Sequence, residues 1–240
     1  MQTIELKTWD DVSDYIDNGF FKIRMSQFEH LQQHGSYYPR QAYSKGQLAS
    51  KSWLLDKLCN YMRFNRPMFD EHLGDSPETL YSKPIIAILG SWIGTLVDPL
   101  HTNIDCERIY GIDSDPKCID QSERLNHRYL EGWRYKGVCA DVTQLDCSNM
   151  QFETGGELID VTPHIVINTS CEHMSSEWFD TVSSEQLIVM QTNNAEEFEG
   201  HVNICDSIVD MQQRYPLSTT QYVGELRTPA YTRYMQIGYK

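Results

Sequence analysis

Basic residues are scarce in this chain: 20 Lys and Arg stand against 34 Asp and Glu, a formal charge of −14 over 240 residues. That balance disfavours an extended nucleic-acid interface, because phosphate binding depends on Lys and Arg displacing condensed counterions. A small or cationic substrate fits better. The one local exception, Lys117, Arg124, Arg128, Arg134 and Lys136 with His127, reads as a solvated helix face. Also missing is any apolar run of the roughly 18 residues that a membrane helix needs, and no basic flank leads into an apolar segment at the N-terminus. Neither a membrane span nor a signal peptide is expected, which places the chain in the cytoplasm. The seven cysteines, at 59, 106, 118, 139, 147, 171 and 205, are odd in number and scattered, with no CxxC pair. This argues against a disulfide framework and against a zinc site, and no metal is expected. Most of these thiols should be small buried hydrophobes.

What is present is enough apolar residue, 40%, for a core, in a length that suits one α/β domain with a decorated end. The chain organises around Lys83 to Leu96, where a short continuous apolar run breaks abruptly into Gly90 and Gly94. Such a run reads as a strand of a parallel sheet buried on both faces, entering a tight loop. About twenty residues on, Arg108 to Ile112 forms a second strand that delivers Asp113 at its carboxyl end. Glycines after one strand let the backbone approach a ligand closely, and a carboxylate after the next can accept from both hydroxyls of a ribose.

Around this pair the chain divides into an N-terminal helical or lid extension, 1–82, and a cofactor domain, 83–240. Thr8 to Asp11 looks like a capping-box variant opening a short helix. The aromatic stretch from Phe20 to Gly46 could lie over the active site, or simply pack the N-terminal helices onto the core. Apolar positions from Gln47 to Arg63 recur at helical spacing. In the second part, Asp115-Pro116 opens a helix, and Gly137 to Ala140 is a third strand ending in Asp141-Val142. His164 to Asn168 is a fourth, running into the polar cluster Thr169 to Met174. A fifth strand, Gln186 to Gln191, empties into Thr192-Asn193-Asn194. Two alternating runs, Thr219 to Leu226 and Tyr231 to Tyr239, carry a hairpin signature. The fold class is therefore α/β: a Rossmann-like, mostly parallel sheet closed by a C-terminal antiparallel hairpin, with an N-terminal helical extension.

In order and spacing, residues from about 50 to 240 resemble the class I S-adenosylmethionine-dependent methyltransferases. Gly90, Ser91, Trp92 and Gly94 stand where that family has its glycine-rich cofactor loop, with a tryptophan where the usual GxGxG run has a glycine-compatible position. Asp113 stands at the ribose-binding acid, Asp141 and Val142 at the adenine contact, and Asn168 opens the fourth motif. The resemblance implies S-adenosylmethionine as cofactor and a small-molecule or modified-nucleotide acceptor. Glu172 and His173 are the candidates for orienting or deprotonating that acceptor. Asn193, Asn194, His201 and Asn203 could line its pocket, and Ser50, Lys51 and Tyr43 could close over the cofactor. Cys171 reads as a buried thiol rather than a nucleophile. Two other readings share the pattern: an NAD(P)-dependent oxidoreductase, against which the hairpin and the missing GxGxxG count, and a non-catalytic binding or assembly module.

Overall fold

The computed structural model describes residues 1–19, 21, 40–154, 156–197 and 200–240, apart from 65–82. Much of the aromatic stretch after Gly19 and the connector before Lys83 therefore lie outside the described residues. In chain order the elements are β1 (Gln2–Glu5), α1 (Trp9–Asn18), a 3-10 turn (Arg40–Tyr43), α2 (Lys45–Phe64), β2 (Ile85–Leu89), α3 (Val97–Asn103), β3 (Arg108–Asp113) and α4 (Pro116–Leu125). A 3-10 turn (His127–Tyr129), β4 (Tyr135–Cys139), β5 (Met150–Thr154), β6 (Glu157–Val161) and β7 (Ile165–Asn168) follow. The chain ends with a 3-10 turn (Cys171–His173), α5 (Glu177–Thr181), β8 (Leu187–Asn193), α6 (Ile208–Arg214), β9 (Thr219–Arg227) and β10 (Thr232–Tyr239).

Eight strands form one sheet in the order β1-β9-β10-β8-β7-β2-β3-β4. The five from β8 to β4 are mutually parallel, and β10 runs antiparallel to both β8 and β9. From β2 the chain builds outward to β3 and β4, then returns to the other side of β2 for β7 and β8, so strand order reverses between β2 and β7. In an open parallel sheet that reversal leaves a crevice at the carboxyl ends of the strands. The apolar runs explain why these strands are central. Ile86 and Ile88 of β2 join one buried cluster with Trp53, Leu54 and Leu58 of α2. Ala87 and Leu89 join another on the opposite face, with Trp178 and Phe179 of α5 and Met211 of α6. Both faces are thus covered by helices, and a strand apolar at every position is the one that fits there.

Local signals set the helices. Thr8 and Asp11 exchange side chain to backbone bonds at 2.8 and 3.1 Å, closing the capping box of α1, and Asp115 caps α4 through Lys117 N with Pro116 in the first turn. Two features lie beyond the expected pattern. β1, within the segment read as a helical extension, pairs in parallel with β9 from Gln2↔Gly224 to Glu5↔Arg227. β5 and β6 make a separate two-stranded hairpin. Among the described residues, no helix is long and apolar enough to cross a membrane.

Candidate active site

The loop leaving β2 takes left-handed backbone at every second residue: φ is +60° at Gly90, +50° at Trp92 and +67° at Gly94. Glycine takes that conformation without steric penalty, whereas for tryptophan it is uncommon and costs on the order of 1 kcal/mol or more. Two bonds hold the loop against β3 and one closes it on itself. Ser91 N donates to Ile112 O at 2.8 Å, Gly94 N to Ser91 O at 2.9 Å, and Trp92 N to Asp113 Oδ2 at 2.8 Å. Asp113 Oδ1 accepts from Asp115 N at 3.0 Å. Each carboxylate oxygen therefore holds one backbone amide and retains a lone-pair direction for a further donor.

A cavity of about 970 Å³ opens beside this loop at the crevice predicted by the strand reversal. Gly90, Ser91, Trp92 and Asp113 form one side of its lining, Asp141 and Val142 another, and Glu172 and His173 a third. Two of the cofactor-binding candidates do not line it. Gly94 serves packing instead: a Cβ there would collide with Ser122 Oγ and come within 2.8 Å of the Asn126 amide, both on the α4 side. Asn168 is fully buried and braces its own loop, accepting from Ser170 N at 2.9 Å and donating to Met174 Sδ at 3.2 Å. Ser170 in turn donates to Gly90 O at 3.2 Å, tying the loops after β7 and β2 together.

Glu172 is the most constrained group in the cavity wall. Its side chain is 2% exposed and lies 3.3 Å from Arg233 Nη2, itself 3% exposed. Oε1 also accepts from Asn193 Nδ2 at 2.6 Å, while Oε2 has no hydrogen-bond partner among the described residues. Burial works against the Arg233 charge, but Glu172, Tyr231 and Cys171 together more than offset it, and the guanidinium pKa is raised. Lys51, reaching in from α2, also lines the cavity and donates to Gln47 Oε1 at 2.8 Å. Burial, then repulsion from Arg233, brings its pKa down to about 7 against the partial opposition of Glu172.

His173 and His201 face each other edge to face, ring centres 4.6 Å apart, and both line the cavity. The asparagines near them hold loops. Asn203 donates to Met174 O and Tyr215 Oη, each at 2.9 Å, and Asn194 accepts from Thr232 N at 2.9 Å. Ser50 bonds Gln191 at 2.7 Å. Cys171 is fully buried, with burial pushing its thiol pKa well up, which removes it as a thiolate nucleophile. Proximity of Lys51, Glu172 and Arg233 carries no local sequence signal, since they come from a helix, a loop and the last strand.

No family model matches the chain, and no curated protein matches it in sequence. Its fold does match solved structures. Magnesium protoporphyrin IX methyltransferase from Synechocystis PCC 6803, with bound SAH, aligns at a TM-score of 0.55 with 13% identity, over 97% of this chain and all of the other. SAH-bound methyltransferase PaMTH1 of Podospora anserina aligns at 0.53 with 13% identity, over 100% and 98% of the two chains. The chain has the fold of the class I S-adenosylmethionine-dependent methyltransferases, a Rossmann-like sheet closed by an antiparallel hairpin. Identity this low extends the likeness to the fold alone.

Proposed function

We propose that this protein is an S-adenosylmethionine-dependent methyltransferase acting on a small-molecule or modified-nucleotide acceptor. The observation that carries this reading is that Asp113 and the left-handed loop Gly90 to Gly94 are joined by a hydrogen bond on the wall of a single cavity. The lining of that cavity supports the reading with groups suited to an adenosyl sulfonium. A Cβ at Gly90 would press on Ser170 and Met174 at 3.0 Å, so only glycine keeps this part of the wall open. Asp113 has acceptor capacity left for ribose hydroxyls. Val142 offers an apolar surface and Asp141 an acceptor for a purine with an exocyclic amine, its Oδ1 already held by Thr143. Trp92 contributes an aromatic ring suited to a sulfonium charge.

When bound, the cofactor supplies an electrophilic methyl group for in-line displacement. What remains for the protein is alignment of the acceptor and removal of its proton where the acceptor needs it. Glu172, locked by Asn193 and Arg233, orients the acceptor. His173 is assigned proton removal. Its Nδ1 donates to Gly200 O at 3.1 Å, because a carbonyl can only accept, which puts the lone pair of the neutral ring on Nε2.

Titration calorimetry tests the reading directly. Micromolar binding of S-adenosylmethionine or S-adenosylhomocysteine is expected. Binding of NAD(P) instead would favour an oxidoreductase, and binding of neither a non-catalytic module. A mass search for products one methyl heavier in a metabolite and nucleotide extract then identifies the acceptor. His173→Ala should lower kcat while leaving S-adenosylmethionine affinity unchanged.

A further inference from the structure

Three potential ligands converge on the acceptor side of the cavity from two separate loops. Glu172 and His173 come from the turn after β7, and His201 from the loop between β8 and α6. Each offers one ligand atom, and the three atoms lie within 4.8 Å of one another. We propose that Glu172, His173 and His201 form a binding site for a divalent transition-metal ion of the zinc class.

Four observations favour a site over a chance cluster. First, Glu172 Oε2 is buried without a hydrogen-bond partner among the described residues, and a buried carboxylate oxygen left so is costly unless something occupies it. Second, the other oxygen, Oε1, is fixed by Asn193 and Arg233, which orients the carboxylate as outer contacts orient a ligating group. Third, both imidazoles are held by backbone carbonyls through Nδ1: His173 by Gly200 O at 3.1 Å, His201 by Ala195 O at 2.6 Å. That restraint makes Nδ1 the donor and Nε2 the basic nitrogen, the state in which histidine ligates metals. Fourth, the spacing is near what an ion demands. Ligands about 2.1 Å from a tetrahedral ion stand about 3.4 Å apart, so closing the cluster takes shifts on the order of 1 Å, and His173 and His201 are not fully buried.

Two imidazoles and one carboxylate suit zinc, cobalt or iron better than magnesium or calcium, which prefer oxygen alone. Three protein ligands leave at least one position open, and the cavity lies on that side. If the methyltransferase reading holds, an acceptor oxygen or nitrogen could occupy that position and be aligned by the ion. With the ion bound, His173 would serve as ligand rather than as base.

Binding of the metal alone tests the proposal. The chain, stripped with chelator, is dialysed against Zn²⁺ or Co²⁺ and its metal content measured, with the visible spectrum of the Co²⁺ form as a second readout. One ion per chain is expected, with Co²⁺ bands of a four- or five-coordinate nitrogen and oxygen site. His173→Ala and His201→Ala should each weaken binding about tenfold or more; neither removes a core side chain, and circular dichroism checks their folding. No stoichiometric uptake, or uptake that neither substitution weakens, would overturn the proposal. Calorimetry with S-adenosylhomocysteine on the stripped protein separates the two readings. Cofactor binding without metal uptake removes only the metal site, and metal uptake without cofactor binding removes only the methyltransferase.

Discussion

The backbone N–H of Trp92 donates to Oδ2 of Asp113 at 2.8 Å, so the loop after β2 and the acid after β3 behave as one unit. Asp113→Ala should weaken S-adenosylmethionine binding by about 1–3 kcal/mol, the range for hydrogen bonds to a charged group. Calorimetry reads this directly, and unchanged affinity would remove Asp113 from the ribose contact. Asp113→Asn keeps one acceptor oxygen and should fall between wild type and alanine.

The buried pair of Glu172 and Arg233 should respond to single and double substitution in opposite ways. Glu172→Leu leaves the guanidinium buried without its carboxylate and is expected to cost about 3–5 kcal/mol of stability. Combining it with Arg233→Met removes both charges and should recover most of that loss. Urea unfolding of the two single variants and the double variant completes the cycle. Additive losses would mean that the pair is not coupled.

Lys51 carries a stability penalty that depends on pH. Burial and Arg233 bring its pKa from 10.5 to about 7 in the folded chain, so the unfolded state binds its proton more tightly. Stability should therefore rise as pH increases from about 7 towards 10.5 through this group. Lys51→Met should stabilise the protein at pH 7 by an amount on the order of a few kcal/mol and flatten that slope. Urea midpoints between neutral and alkaline pH check both effects.

His101 acts in the same sense at lower pH. Burial and the adjacent Arg134 bring its pKa from 6.5 to about 4. The neutral ring is specified by its contacts: Nε2 donates to Arg134 O at 3.0 Å, and Nδ1 accepts from Arg134 Nη2 at 3.1 Å. Its contribution is complete above pH 6.5 and should disappear as pH falls towards 4. His101→Gln should flatten the thermal midpoint over that interval. A slope identical to the wild type would exclude His101 as its source.

The parts of this fold legible in the sequence are those where burial imposes one answer. Ile85 to Leu89 and the Ile165 to Ile167 centre of His164 to Asn168 read as central strands because both sheet faces are covered by helices, so these positions are apolar. Capping residues at Thr8 and Asp115 act within a few residues and are equally visible. β1 was not visible, because Gln-Thr-Ile-Glu carries little hydrophobic pattern and its place is set by β9 far along the chain. The β5–β6 hairpin carries a local signal in Gly155-Gly156, which stands between two short alternating runs. Strand spacing places Asp113 at the carboxyl end of β3, where it lines the cavity. His201 reads only as a general pocket-lining candidate, and its close approach to Glu172 and His173 has no sequence signal because it depends on how two loops turn towards each other. Gly94 looked like a cofactor glycine, whereas its missing side chain makes room for α4.

The parallel seating of Gln2 to Glu5 on Gly224 to Arg227 has a practical result. Without those first residues the sheet rim would pass from the four-residue β1 to the longer β9, whose main-chain groups would then be open to a neighbouring molecule along the whole strand. Trimming the chain before Leu6 should raise its tendency to self-associate.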